Sequence, residues 1–140
     1  MIIKIKKLIE TAIIPKQANI GDAGMDLTVT SIKSKSLFKI IYGFGIATEF
    51  NEKYYVKLAS RSSIHKTFMI LSNGSGTIDS CYRGEYMAVF YKIPFVSKPY
   101  KVGERAAQII VQKIPKIRIL ESLELTQSQR GVGGYGSTGK

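Results

Sequence analysis

Apolar and polar positions change over in short runs along this chain, and no apolar stretch holds a helical period beyond about two turns. Runs rich in β-branched and aromatic residues predict strands at Ile2–Leu8, Met25–Val29, Leu37–Phe44, Tyr54–Ala59, Thr67–Leu71, Tyr86–Lys92, Ala107–Lys113 and Ile117–Leu120. Between them, Asn19–Asp22, Asn51–Lys53, Asn73–Gly76 and Pro99–Gly103 supply the residues that reverse a chain. One short helical turn fits after Arg61-Ser62-Ser63. Many short strands spaced in this way predict an all-β domain, built as a sandwich, jelly roll or small barrel.

With 140 residues and 44% hydrophobic content, the chain is long and apolar enough for one domain with its own core. Its net charge of +11 predicts anionic company, either nucleotide, nucleic acid or an acidic protein surface. The lysines are spread out, however, so a solvated basic surface explains most of the charge, and a nucleic-acid or protein partner stays open. Cys81 is the one cysteine and cannot form an internal disulfide; no uncharged apolar run reaches membrane-spanning length. The start, Met1-Ile-Ile-Lys-Ile-Lys-Lys-Leu8, is basic but interrupted by lysines, which predicts a first strand in a cytoplasmic protein without membrane attachment. Neither Cys81 nor His65 has the companions that a zinc site or a nucleophile triad needs.

Five segments carry more polar or glycine-rich chemistry than strand packing requires. Gly21–Leu27 places Asp26 at a strand start, either as a turn carboxylate or as a site residue. Ser60–Ile64 follows an apolar strand with Arg61, Ser62 and Ser63, which suit phosphate oxygens, an N-capping serine pair explaining them nearly as well. Asn73–Glu85 reads as a β-hairpin with a loaded tip: backbone groups and the Asn73 amide can read a pyrimidine edge, and Asp79 and Tyr82 place a carboxylate and a ring nearby. Gly103–Ile110 leads into an apolar strand whose one polar side chain, Gln108, needs partners. Last, Arg130–Lys140 sets a guanidinium, the ring of Tyr135 and the hydroxyls of Ser137 and Thr138 on a glycine ribbon. Its amides can turn toward anionic oxygens. Gly131, Gly133 and Gly136 match G-x-G-x-x-G, but Ser137-Thr138-Gly139-Lys140 do not provide the helix that fingerprint opens, and a P-loop would need lysine where Ser137 stands.

In this order and at these intervals, the five segments resemble the five motifs of the trimeric dUTP diphosphatase (dUTPase) family. Ala23–Leu27 is similar to A-G-x-D-L and Ser60–Ile64 to P-R-S-x. Gly76–Glu85 is similar to G-x-I-D-x-x-Y-R-G-E, with Asn73 at the base-reading position, while Gly103–Ile109 resembles G-x-R-x-A-Q-L and Arg130–Gly139 resembles R-G-x-G-G-F-G-S-T-G. The resemblance implies a single-domain distorted jelly roll, or β-clip barrel, over residues 1–126, with a mobile glycine-rich arm over 127–140 that closes on the site. It also implies a homotrimer whose active sites are shared between subunits, hydrolysing dUTP to dUMP and diphosphate with Mg²⁺ held by the substrate phosphates and waters rather than by direct protein ligands. Asp79 is then the general base. Asn73, Gly76 and Ile78 read uracil, and Tyr82 packs on deoxyribose and rejects a 2′-hydroxyl. Arg61, Ser62, Ser63, Gln108 and Arg130 hold phosphates; Tyr135, Gly136, Ser137 and Thr138 close over base and terminal phosphate; Asp26 stands behind these as an orienting carboxylate. Departures are Ser60 for proline, Cys81 where several members carry a second Asp, Ala106 for a larger aliphatic residue and Tyr135 for Phe. A dCTP deaminase shares the implied fold and an Arg-Ser-Ser segment, and the Asp79–Tyr82 pattern separates the two. A dUTPase-like trimer acting as a regulatory or nucleic-acid-binding module is the reading from another class.

Overall fold

The computed structural model describes residues 1–134. Its strands are β1 (Ile3–Lys7), β2 (Gly24–Thr28), β3 (Ser31–Lys35), β4 (Lys39–Gly43), β5 (Ile46–Phe50), β6 (Tyr54–Ser60), β7 (Met69–Leu71), β8 (Ser75–Ile78), β9 (Met87–Lys92) and β10 (Arg105–Lys113), with a 3-10 turn at Ser62–Lys66. They pair antiparallel into three sheets, ordered β1-β5, β2-β10-β6-β8 and β3-β4-β9-β7. The all-β, jelly-roll-like architecture and the helical turn after Arg61 match the expectation.

The core lies between the sheets because the inward positions alternate along β4 and β9. Ile40, Tyr42, Ala88 and Phe90 are buried there, and Leu27, Val56 and Ile109 face them from the second large sheet. Tyr42, Phe90 and Tyr100 meet edge to face, with centroids 5.7 to 6.1 Å apart, the arrangement that ring quadrupoles favour. The Tyr42 hydroxyl donates to the carbonyl of Tyr100 at 3.2 Å. Burial pushes its phenol up to about 12.

Two expectations fail. Ile117–Leu120 forms no strand; among the described residues regular structure ends at Lys113, and Ile117 and Ile119 stand well exposed. Its apolar letters suit a strand, but within the described residues no sheet edge receives it. Asn73–Glu85 is not a hairpin of two mutually paired strands. β7 pairs with β9 while β8 pairs with β6, so the turn at Leu71–Gly74 carries the chain from one sheet to the other.

Candidate active site

The β6–β8 ladder sets Gly76 opposite Leu58 and Ile78 opposite Val56, so this sheet edge ends in Asp79. Beside it lies a cleft of about 280 Å³ lined by Asn73, Gly76, Ile78, Asp79 and Tyr82, with apolar walls from Leu58, Leu71 and Val89. The Asn73 amide nitrogen sits 3.4 Å from where a Cβ on Gly76 would lie, which brings a donor against bare backbone. Asp79 is exposed, and its carbonyl accepts the Tyr82 amide at 3.1 Å to close a turn. Arg83 ties that turn from the other side, donating to the carbonyls of Ser80 at 2.6 Å and Tyr82 at 3.1 Å. The Tyr82 hydroxyl donates to the carbonyl of Glu85 at 3.1 Å.

A second cleft, of about 300 Å³, opens along β2 and β10, with Lys16, Gly24, Asp26 and Gln108 on its walls. Strand register explains the company: Asp26 lies opposite Gln108, which lies opposite Ala59. Asp26 accepts Arg61 Nε at 2.8 Å on one oxygen and Arg105 Nη1 at 2.9 Å on the other. Arg61 also donates to the carbonyl of Arg105 at 3.3 Å and contacts Ser63 Oγ at 3.5 Å. Gln108 donates Nε2 to the Ser60 carbonyl at 2.9 Å, and its Oε1 occupies space that only glycine at position 24 leaves open. Ser62 is exposed on the 3-10 turn, and its carbonyl lies 2.9 Å from His65 Nδ1.

The structure thus collects the predicted residues into two groups. Asn73, Gly76, Ile78, Asp79 and Tyr82 surround one cleft; Asp26 and Gln108 line the other, with Arg61 bonded to Asp26 behind it and Ser63 beside Arg61. The groups do not meet within one chain. Ala59 pairs with Ser75 and Val56 with Ile78, so Arg61 and Asp79 leave the β6–β8 ladder at opposite ends, roughly 15–20 Å apart at strand spacing. Arg130 lines neither cleft and folds on its own segment, donating to the carbonyls of Gly133 at 3.0 Å and Gly134 at 3.4 Å. Tyr135, Gly136, Ser137 and Thr138 lie outside the described residues. Sequence reasoning missed Arg105, although Gly103-Glu104-Arg105 belongs to a segment already singled out. Among the described residues no group of three or more His, Cys, Asp or Glu side chains could hold a metal ion.

Comparison with known proteins places these clefts in context. The dUTPase family pattern matches residues 10–139. A deoxyuridine 5'-triphosphate nucleotidohydrolase of Nautilia profundicola is 36% identical over 142 aligned positions, covering all of both chains, and one of Helicobacter pylori strain P12 is 34% identical, covering 99% of this chain and 97% of the relative. Among solved structures, the dUTPase of Staphylococcus bacteriophage 80alpha with dUPNHPP superposes with a TM-score of 0.86 at 23% identity over 99% of each chain, a likeness of fold. Since the family pattern takes in both clefts and nearly the whole length, the chain belongs to the dUTPase family.

Proposed function

We propose that this chain hydrolyses dUTP to dUMP and diphosphate, so keeping uracil out of DNA, at sites that three copies build together. The observation that carries the reading is the grouping of Asn73, Asp79 and Tyr82 round one cleft of nucleoside size, apart from a guanidinium and amide cluster suited to phosphates. Asn73 and the backbone at Gly76 and Ile78 hold the uracil edge, and the Tyr82 ring packs on deoxyribose. Asp79 takes a proton from a water whose oxygen attacks the α-phosphorus, and diphosphate leaves. Arg61, Ser62, Ser63 and Gln108 offset the charge that moves onto the leaving group, with Arg130, Tyr135, Gly136, Ser137 and Thr138 of the arm 127–140 closing over the nucleotide.

Mg²⁺ bound to the triphosphate supplies charge neutralisation there. The donor chemistry fits an ion that arrives with substrate and keeps its waters, because both Asp26 oxygens already accept arginine donors. The separation of Arg61 from Asp79 supports sites shared between subunits: the cleft of one copy and the arginine cluster of another can face a single triphosphate. The exposed Ile117, Ile119, Leu123 and Leu125 support association as well. No helix among the described residues is long and apolar enough to cross a membrane. Cytoplasmic residence is the reading that the one exposed thiol, Cys81, supports.

The deciding experiment measures diphosphate release from dUTP, dTTP, dCTP and UTP with Mg²⁺, for wild-type protein and Asp79→Asn. Hydrolysis of dUTP alone, lost in the variant by at least about 10²-fold, is expected. Uracil-nucleotide release from dCTP with dUTP untouched would identify a deaminase instead.

A further inference from the structure

We propose that Lys33 and Glu85 form a clamp that fixes Tyr82 against the sugar, making Lys33 a positioning residue for the choice of deoxyribose over ribose; this rests on the reading of Tyr82 as the sugar-packing ring. Pairing between β3 and β4 carries a defect. Ile32 lies opposite Tyr42 and Ser34 opposite Ile41, which leaves Lys33 as the extra residue of a β-bulge in an edge strand. A bulge bends its strand and re-aims the side chain that it carries. Here the side chain crosses Gly43: Lys33 Cε, Glu85 Oε1 and Ser31 Oγ would stand 2.4, 2.5 and 2.6 Å from a Cβ at that position. Any residue but glycine would displace them.

Lys33 Nζ then reaches Glu85 Oε2 at 2.7 Å, while Glu85 Oε1 accepts the amide of Gly45 at 2.9 Å. Both carboxylate oxygens are held. The Glu85 side chain is 19% exposed and that of Lys33 41%, so the pair is shielded from water on its carboxylate side only. The carbonyl of this same residue takes the Tyr82 hydroxyl, and both residues line the nucleoside cleft. A chain of contacts therefore runs from the bulge through Lys33 and Glu85 to the ring. Shape rejects a 2′-hydroxyl only if the ring cannot retreat. With Lys33 removed, Glu85 keeps one side-chain anchor and the carbonyl beneath Tyr82 gains freedom.

The test is kcat/KM for dUTP and for UTP in wild-type protein, Lys33→Met, Lys33→Arg and Glu85→Gln. Lys33→Met and Glu85→Gln should each lower the dUTP-to-UTP ratio by roughly three- to tenfold, with Lys33→Arg returning most of it. A ratio unchanged in Lys33→Met and Glu85→Gln, with both substrates losing rate together, would reduce the clamp to a structural contact and overturn the proposal. Should Lys33→Met not fold, Glu85→Gln tests the same pair while keeping an acceptor for Gly45. Wild-type protein that cleaves dUTP and UTP alike would overturn the reading of Tyr82 itself, an outcome distinct from an unchanged ratio in a selective enzyme.

Discussion

Asp26 gives each of its oxygens to a different arginine, and that division of labour governs what its substitution does. In Asp26→Asn one oxygen becomes an amide donor facing a guanidinium, so either Arg61 or Arg105 loses its acceptor. Charge-assisted hydrogen bonds are worth roughly 1.5–3 kcal/mol. We expect kcat/KM for dUTP to fall by about tenfold to a hundredfold, and Arg105→Ala to show a smaller loss in the same direction, because Arg61 keeps its Asp26 bond in that variant. Steady-state kinetics on the three proteins checks this. Asp79 behaves differently because its side chain is exposed. Asp79→Asn should leave the melting temperature unchanged while kcat drops by about 10²-fold or more.

Between β2 and β10, the tolerance of the sheet depends on which atoms must yield. A Cβ on Gly24 would lie 2.1 Å from Gln108 Oε1 and 3.1 Å from its Cδ, so the end of a flexible side chain moves and the ladder stays paired. Gly24→Ala is therefore expected to keep the fold, break the bond from Gln108 to Ser60, and raise KM for dUTP several-fold with little change in thermal midpoint. A cooperative loss of stability would mean instead that the backbone shifts. The same distinction between pattern and pairing explains what could be read from the letters. β2, β6, β9 and β10 were legible because their runs of apolar, β-branched and aromatic letters mark strands that the sheets bury. β3 and β8 were not: each is an edge strand, one rich in lysine and serine, the other in glycine and serine, and an edge needs a neighbour rather than a hydrophobic face. β5 escaped because Ala47 and Glu49 are poor strand formers in isolation, although Ile46 and Phe50 are buried. In reverse, Ile117–Leu120 has strand letters and pairs with no edge among the described residues. At the site, the motif resemblance marked Asp26, Arg61 and Gln108, and the register shows why they meet. Arg105 and Lys33 stayed hidden, since one depends on a cross-strand contact and the other on a bulge that no residue pattern announces.

For the whole molecule, the point where strands stop and the protons its core retains lead to separate expectations. Among the described residues regular structure ends at Lys113, so a chain of residues 1–126 should fold, bind dUMP in the Asn73–Tyr82 cleft and turn over dUTP far more slowly than the full chain; calorimetric titration beside a rate assay tests this. The alkaline limit belongs to the core. Burial raises the phenols of Tyr42, Tyr86 and Tyr100, Tyr42 to about 12 from its ordinary 10. These raised values mean that the folded protein holds protons which the unfolded chain releases first. For Tyr42 that contribution to stability is complete below about pH 10 and is lost as pH climbs from 10 toward 12, and burial of Tyr86 and Tyr100 acts in the same direction. The melting temperature should therefore be level with respect to these groups through neutral pH and fall steeply above about pH 10. Tyr42→Phe removes one of them together with its hydrogen bond to the Tyr100 carbonyl. The variant should begin less stable at neutral pH and lose less between pH 10 and 12, so that its curve approaches that of wild type. Parallel curves would show that Tyr42 ionises as easily in the fold as in the open chain, and that the alkaline limit is set by other groups.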